Sequence, residues 1–267
     1  MEKIFCGKIK QMLAKKSLGQ HFLTSKKIVS EMVEAGNVNK DDLVLEIGPG
    51  KGILTEKLLK SAKQIIAIEK DTVLVNYLNK KFKNEVKMGK LKLIEGDVLG
   101  YQPPKNQEYK LIANIPYYIT GAIIEKFFSA IKQPKTIALL VQKEVAERII
   151  AKKGSILSIS VGVYGKPRLV KIVEANNFSP PPKVDSAILV IDEISKNFFK
   201  GINEQKFFEI IKIGFAHKRK LLIRNLENLK INRVNLIEIF KELRLSEKSR
   251  AEDLSSKDWL HLAKKIV

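Results

Sequence analysis

In the first half of the chain, four apolar runs are each followed by a polar residue or a short polar stretch. These polar sequences are the glycine-rich EIGPGKG of residues 46–52, Glu69, Asp97 and Asn114. Glycines let a backbone turn tightly and approach a ligand closely, while carboxylates and amides offer hydrogen-bond acceptors. If the apolar runs are parallel strands, their carboxyl ends lie along one edge of a sheet, where open sheets bind ligands. The four sequences are therefore predicted to form one binding site.

The spacing of the glycines indicates the class of ligand. Within residues 48–52 they run G-x-G-x-G, whereas the nicotinamide fingerprint G-x-G-x-x-G requires a glycine where this chain has Ile53. Glu69 suits the hydroxyls of a ribose, and Asp97 suits the amino group of an adenine, although a capping role for Asp97 is an alternative. This pattern favours an adenosine without phosphates, such as S-adenosylmethionine, over a dinucleotide.

The stretch IANIPYYIT, residues 112–120, indicates which chemical group could receive the methyl group of S-adenosylmethionine. The amine of adenine is a poor nucleophile, because its lone pair is delocalised into the ring. Acceptors on its N–H groups can aim that lone pair at a sulfonium methyl: the Asn114 amide oxygen, and a carbonyl in the turn that Pro116 fixes. Tyr117 can stack on a base swung out of a helix. Its neighbour Tyr118 is predicted to pack in the core.

The elements that position these residues are predicted from hydrophobic patterning. Apolar runs alternate with amphipathic helical patterns up to about residue 150, which is typical of a parallel sheet with helices on both faces. The predicted parallel strands are residues 43–48, 64–71, 90–97, 109–115 and 136–143. ISVGVYG (159–165) and SAILVID (186–192) are predicted to extend the sheet as an antiparallel pair.

Beyond Asp192 the pattern is helical to the last residue. We therefore predict two domains. Residues 1–195 would form an α/β, Rossmann-like S-adenosylmethionine-binding domain with a basic N-terminal arm. Residues 196–267 would form a small all-helical RNA-binding domain.

The charge of the chain points to a polyanionic partner. It has 49 basic and 29 acidic residues, giving a net charge of +20. Residues 1–27 contain seven lysines and one acid, and residues 212–233 contain seven basic residues and one acid. Two concentrated basic segments favour nucleic acid over uniform compositional drift. The arm contributes Lys8, Lys10, Lys15 and Lys16.

The second basic segment, FAHKRKLLIRNL at residues 215–226, is predicted to be helical. His217, Lys220 and Arg224 would then share one face, which suits contacts with phosphates. The predicted RNA-binding residues are His217, Lys218, Arg219, Lys220 and Arg224.

Other features narrow the class of protein. No stretch approaches the ~20 consecutive apolar residues of a membrane span, and the first residues lack the apolar region of a signal peptide. Cys6 is the only cysteine, which rules out an internal disulfide and fits a reducing compartment. We expect a cytoplasmic protein, monomeric, without a membrane partner or a metal site.

Nine stretches in order resemble the ribosomal-RNA adenine N6,N6-dimethyltransferase family of the KsgA type. They are LGQHFL, EIGPGKGILTEKL, IEKD, EGD, ANIPY, QKEVAERI, FSPPPKVDSAI, FAHKRKLLIRNL and RAEDLS. The resemblance covers essentially the whole chain. It implies a two-domain enzyme that uses S-adenosylmethionine to dimethylate two adjacent adenosines near the 3′ end of small-subunit ribosomal RNA, with the assembling small subunit as partner.

The resemblance also assigns residues. Those implied to bind the methyl donor are His21, Leu23, Gly48, Gly50, Glu69, Asp97 and Asn114. The catalytic set is Asn114, Pro116, Tyr117 and Phe178. The three prolines after Phe178 form a stiff extended segment, which is predicted to hold the Phe178 ring against the target base, opposite Tyr117.

Three other functions stay open at this point. One is a large-subunit rRNA adenine methyltransferase of the macrolide-resistance type, which shares the donor loop and N-x-P-Y sequence; RAEDLS and the length of the tail favour the small-subunit enzyme. Another is a non-catalytic ribosome assembly factor, although a pure binding protein need not keep Asn114 to Tyr117 and the acids. A nicotinamide oxidoreductase is disfavoured by the glycine spacing and the charge.

Overall fold

A seven-stranded sheet is the centre of the structure, a computed structural model that describes residues 20–267. Its strands are β2 (Leu43–Ile47), β3 (Gln64–Glu69), β4 (Leu91–Glu95), β5 (Lys110–Asn114), β6 (Ile137–Gln142), β7 (Lys166–Val173) and β9 (Ser186–Asp192). The strand order is β4-β3-β2-β5-β6-β9-β7. A separate short pair joins β1 (Phe22–Leu23) to β8 (Phe178–Ser179) in antiparallel register.

Five strands of the sheet run parallel to one another. β2 pairs with β3 and with β5, β3 pairs with β4, and β5 pairs with β6. All five residues of β2 and the first five of β6 are buried, as expected for strands covered on both faces. This confirms the five predicted parallel strands. Their carboxyl ends therefore lie at one edge of the sheet, which is where the polar sequences occur.

Helices cover the sheet and alternate with its strands. The helices that precede residue 150 are α1 (Lys26–Ala35), α2 (Ile53–Ser61), α3 (Thr72–Lys81), α4 (Lys83–Lys87), α5 (Thr120–Ser129) and α6 (Lys143–Ile150). Met32 of α1 and Leu58 of α2 are completely buried in one core cluster with Ile65 and Ile112 of the sheet. Ser25 and Asp71 cap α1 and α3, since their side chains accept backbone N–H groups in the first turn.

The described chain divides into two compact units. The first comprises residues up to 146 together with 168–190, and the second comprises 147–167 together with 191–267. The units differ from the predicted boundary at 195, because residues 147–167 and 191–195 group with the C-terminal helices.

The second unit is helical. Its helices include α7 (Ile156–Tyr164), α8 (Glu204–Gly214), α9 (Leu222–Leu226), α10 (Arg233–Glu242) and α11 (Ser256–Ile266). Trp259 of α11 is fully buried and stacks on Phe215, with ring centroids 5.7 Å apart. The longest helices between residues 20 and 267 have eleven residues, and none of those described is long and apolar enough to cross a membrane.

One strand prediction was wrong. Residues 159–165 alternate apolar and small residues, which is a strand pattern, but residues 159–164 belong to α7 and Gly165 follows its end. A capping box starts this helix: the Ser155 hydroxyl accepts the backbone N–H of Ser158, and the Ser158 hydroxyl accepts the backbone N–H of Ser155. Tertiary packing overrides local preference here. The strand lies just beyond, in the highly charged β7, which was not predicted; β9 was predicted correctly.

Candidate active site

The glycine loop between β2 and α2 is fastened to the end of β3. Gly48 and Gly50 have φ values of +63° and +58°, a region that glycine enters without steric cost. The Gly48 N–H donates to the carbonyl of Ile68 at 2.9 Å, and the Gly50 N–H donates to Glu69 Oε2 at 3.1 Å. The loop backbone is thereby held close to the carboxylate that was predicted to bind the ribose.

Glu69 is buried, and its carboxylate is held by backbone donors. Oε1 accepts the N–H of Asp71 at 3.0 Å and Oε2 accepts that of Gly50. Burial raises the pKa of Glu69, while the hydrogen bonds from Asp71 and Gly50 oppose the shift. A carboxylate has about four lone-pair sites, more than the backbone donors of Gly50, Lys70 and Asp71 occupy, so an acceptor remains for the ribose hydroxyls.

Asp97 combines a capping role with a place in the cavity wall. Its Oδ1 accepts the Leu99 N–H at 2.9 Å, capping the short 3₁₀ turn Val98–Gly100. Its Oδ2 pairs with Lys70 Nζ at 2.9 Å. The hydrogen bond from Lys70 lowers the pKa of Asp97, so the group is an anion and an acceptor at neutral pH. Capping and ligand binding are therefore compatible in this residue.

Asn114 ends β5 with its amide turned in a definite direction. Nδ2 donates to the backbone carbonyl of His21 at 3.2 Å. A carbonyl only accepts, so the nitrogen of the amide must face His21. Oδ1 then points away from His21, and no described residue donates to it. This leaves the acceptor that the predicted chemistry requires.

Tyr117 follows in a 3₁₀ turn after Pro116, whose φ is −58°. The Tyr117 hydroxyl forms a hydrogen bond of 2.6 Å with the Ser186 hydroxyl, which fixes the ring at its far end. Burial raises the pKa of the Tyr117 phenol, so it stays neutral. Tyr118 does not pack in the core as predicted: it is 67% exposed, because the turn directs successive side chains to different sides.

Phe178, the ring predicted to clamp the base, does not line the cavity. Phe178 is 4% exposed and belongs to the core cluster together with Leu23, its partner across the β1–β8 pair. Of the predicted catalytic residues, Phe178 is the one that does not line the cavity. The stiff proline segment therefore positions a core ring, because the β1–β8 pairing turns it inward.

One cavity of about 250 Å³ brings the other predicted residues together. Its lining includes all seven predicted donor-binding residues and three of the four predicted catalytic residues, with Asn114 belonging to both sets: His21, Leu23, Gly48, Gly50, Glu69, Asp97, Asn114, Pro116 and Tyr117. The set fits S-adenosylmethionine, since it offers close backbone approach at the glycines, acceptors for ribose and adenine, and an amide oxygen beside them. Among the described residues no cluster of histidine, cysteine and acids could hold a metal ion.

Sequence reasoning missed Glu46, which also lines the cavity. Its carboxyl is completely buried, and neither oxygen has a hydrogen-bond partner of ordinary geometry among the described residues. Burial raises the pKa of Glu46 to about 8; nearby Glu69 adds to the shift, and Thr55 and Lys81 oppose it. The sequence signal that could have identified Glu46 is an acid inside the otherwise apolar strand β2, at the start of EIGPGKG.

The predicted RNA-binding residues lie in the second unit, but not on a continuous helix. α8 ends at Gly214 and α9 begins at Leu222, so the intervening segment is an exposed loop. The prediction that His217, Lys220 and Arg224 share one face of a helix is therefore wrong. All five residues are exposed, and none forms an ion pair with another described residue. The N-terminal lysines Lys8 to Lys16 lie outside the described residues.

An open parallel sheet with a glycine loop, a buried acid at the end of the next strand and an Asn-x-Pro-Tyr turn defines an S-adenosylmethionine-dependent methyltransferase. A family model described as "Ribosomal RNA adenine dimethylase" matches residues 11–267. The chain belongs to that family.

Similar proteins agree with this assignment. A "Ribosomal RNA small subunit methyltransferase A" of Dehalococcoides mccartyi is 40% identical over 256 residues, covering 93% of this chain and 87% of the relative. A dimethyladenosine transferase structure from Plasmodium falciparum has 31% identity and a TM-score of 0.79, covering 91% of this chain and 96% of that one. The structure of 23S rRNA methyltransferase ErmE, at 23% identity and a TM-score of 0.75, shares the fold; it covers 92% of this chain and 99% of that one.

Proposed function

We propose that this protein transfers methyl groups from S-adenosylmethionine to the N6 of adenosines in small-subunit ribosomal RNA, giving N6,N6-dimethyladenosine. The observation that carries the proposal is the orientation of Asn114, whose Nδ2 is engaged by His21 while Oδ1 is left as an acceptor in the cavity. The relatives named for small-subunit methylation and dimethyladenosine transfer support the choice of reaction.

Each residue has a proposed task in this reaction. Glu69 accepts hydrogen bonds from the ribose of the donor and Asp97 from its adenine, while the loop at Gly48 and Gly50 lets the donor approach the backbone. S-adenosylmethionine supplies an electrophilic methyl group when bound. Asn114 Oδ1 accepts one N–H of the target amine and a turn carbonyl accepts the other, which aims the nitrogen lone pair at that methyl.

The substrate is proposed in more detail from the family. Two adjacent adenosines near the 3′ end of the RNA are the targets, within an assembling small subunit, and the enzyme acts as a monomer in the cytoplasm. The exposed loop with Lys218, Arg219 and Lys220, together with His217 and Arg224, contacts phosphates and so contributes affinity without reading sequence.

The test is the transfer of labelled methyl from S-adenosylmethionine to unmethylated small subunits, with naked large-subunit RNA in parallel. We expect dimethyladenosine in the small-subunit RNA, and its loss in Asn114→Ala. Label confined to the large-subunit RNA would instead assign the resistance-type activity. Tight RNA binding with no label in either substrate would make the protein a non-catalytic assembly factor.

A further inference from the structure

Lys51 is a cation in the cavity wall without an anionic partner. It lies in the glycine loop between Gly50 and Gly52, is half-buried and lines the cavity. The other lysine of the lining, Lys70, pairs with Asp97 at 2.9 Å. Across residues 20–267, by contrast, no acid lies within ion-pair distance of Lys51 Nζ. The charge of Lys51 is therefore available to a ligand.

The ring of Phe22 holds the Lys51 ammonium in place. Nζ lies 4.8 Å from the centre of this ring, inside the limit of about 6 Å for a cation–π contact. The same ring packs on the glycine loop, since a Cβ added to Gly50 would lie 3.1 Å from it. The Lys51 carbonyl accepts Lys81 Nζ at 2.9 Å, which fixes the loop backbone. The ammonium is thus positioned by groups that do not neutralise its charge.

The order of the strands decides which part of S-adenosylmethionine lies beside Lys51. Because neighbouring strands run β4-β3-β2-β5, the sheet edge presents Asp97, Glu69, the glycine loop and Asn114 in that order. The proposed function places the adenine of the donor at Asp97, its ribose at Glu69 and its methyl group towards Asn114. The amino-acid end of the donor is then left at the glycine loop.

This end of the donor carries its one anionic group, the carboxylate. Lys51 is not neutralised by the buried acid nearby, because Lys81 is the lysine whose charge acts on the pKa of Glu46. α2 begins directly after the loop, at Ile53, and no side chain caps its first turn. The partial positive charge of the helix N-terminus therefore adds to that of the Lys51 ammonium. Both charges favour a carboxylate at this point.

We propose that the Lys51 ammonium binds the carboxylate of S-adenosylmethionine and so selects a donor with an intact amino-acid end. This inference rests on the proposed function and adds to it a residue that recognises the donor. The carboxylate is remote from the transferred methyl group, so Lys51 contributes to binding and takes no part in the chemistry.

Calorimetry without RNA tests this pair with two ligands that differ by one group, S-adenosylmethionine and decarboxylated S-adenosylmethionine. Lys51→Met keeps the length of the side chain and removes its charge. Its Kd for S-adenosylmethionine should be roughly tenfold above that of wild type, as expected for a hydrogen bond between charged groups, while its Kd for the decarboxylated ligand should stay within about twofold. Lys51→Arg, which keeps the charge, should restore most of the affinity.

A control variant and a kinetic measurement distinguish this role from general damage. Lys60→Met removes an exposed lysine of α2 that does not line the cavity, and it should bind both ligands as wild type does. In the transfer assay, Lys51→Met should raise KM for S-adenosylmethionine by roughly tenfold and keep kcat within about twofold, because the interaction is equal in the ground and transition states.

Three results would overturn the inference while methylation by the wild type keeps the proposed function standing. Equal losses of affinity for both ligands in Lys51→Met would mean that Lys51 shapes the loop and does not contact the carboxylate. Unchanged affinities for both would place the carboxylate elsewhere. A raised KM for RNA with unchanged donor affinity would assign the ammonium to an RNA phosphate. If the wild type binds neither ligand, the proposed function and the inference fall together.

Discussion

At the scale of single residues, Asn114 shows how one side chain can be both fixed and reactive. Its Nδ2 donates to His21 at 3.2 Å, and this bond orients Oδ1 for a substrate N–H. Removing one preorganised polar group from a reaction centre typically lowers kcat by roughly 100- to 1,000-fold. We expect a loss of that size for Asn114→Ala, measured in single turnovers with saturating donor and RNA.

The affinity of Asn114→Ala for the donor separates this effect from a damaged site. It should stay within a few-fold of wild type, because Glu69 and the glycine loop are unchanged. Asn76→Ala, an exposed asparagine on α3, should keep full activity. A loss of kcat below about fivefold in Asn114→Ala would contradict the assignment of Oδ1 as the acceptor.

The buried carboxyl of Glu46 gives a prediction about stability and pH. Its pKa is raised from 4.5 to about 8, so between these values the folded protein keeps a proton that the unfolded chain has lost. Stability falls with rising pH wherever the folded state binds more protons. Glu46→Gln removes this loss. Its free energy of unfolding should exceed that of wild type by on the order of 3–5 kcal/mol above pH 8, and the difference should vanish near pH 4.

Urea unfolding at pH 5, 7 and 8.5 measures this difference. The exposed Glu238→Gln on α10 is the control and should show no pH-dependent difference from wild type. A Glu46→Gln advantage that is constant across these pH values would mean that the carboxyl is ionised in the fold. If the free energy of unfolding of Glu46→Gln, relative to wild type, fell as pH rises, the sign would be reversed and the argument refuted.

Two aromatic side chains near the cavity lie elsewhere than the sequence predicted. Tyr118 was expected in the core and is exposed, while Phe178 was expected in the cavity and is buried. Polar residues at strand ends could be placed because the direction of parallel strands decides where they lie. The side that a ring faces depends on a turn or on pairing with a distant strand, here β1 with β8, and the local sequence does not contain that pairing.

At the scale of elements, too, features encoded in the local sequence could be predicted and features that depend on other parts of the fold could not. Strands β2, β3, β5 and β6 could be predicted because each is a nearly continuous apolar run, as burial on both faces requires. The edge strand β4 has only Leu91 buried, but its sequence LKLIE still carries three apolar residues. β7 was missed since three basic residues interrupt its apolar positions and only Val173 is buried. The break between α8 and α9 was missed because FAHKRKLLIRNL contains no proline or internal glycine.

The loop between α8 and α9 is shaped by a buried side chain from the element that follows it. Asn225, 1% exposed, donates through Nδ2 to the carbonyls of Gly214 at 2.6 Å and His217 at 3.2 Å. Bonds to buried carbonyls replace the helical bonds that end at Gly214. The loop therefore projects its three consecutive cations into solvent, although no helix carries them.

This loop should contribute phosphate contacts that add affinity without specificity. Replacing Lys218, Arg219 and Lys220 together by Ala should weaken binding to any RNA and reduce the slope of log K against log salt by about 2–3. Fluorescence anisotropy at several salt concentrations measures the slope. The triple replacement of Lys80, Lys83 and Lys87, three exposed lysines near α3 and α4, is the control. An equal reduction in slope there would show a diffuse charge effect instead.

At the scale of the whole molecule, a net charge of +20 must act on every polyanion the protein meets. Such a charge speeds association and raises non-specific affinity, but it carries no sequence information. Base selection has to come from the cavity, whose contacts are short and partly buried. Long-range attraction is screened over about 8 Å at physiological ionic strength, whereas buried contacts are screened much less.

The affinities for RNA and for S-adenosylmethionine should therefore respond differently when salt is raised from about 50 to 250 mM. The dissociation constant for RNA should rise by at least about 100-fold, as expected for a protein that neutralises several phosphates. The dissociation constant for S-adenosylmethionine should change by less than about threefold, because that ligand is held by hydrogen bonds in the cavity. Anisotropy for RNA and calorimetry for the donor measure the two constants on the same preparation. A donor affinity that falls in parallel with RNA affinity would mean that the cavity itself responds to bulk charge, and the assignment of selectivity to its short contacts would be lost.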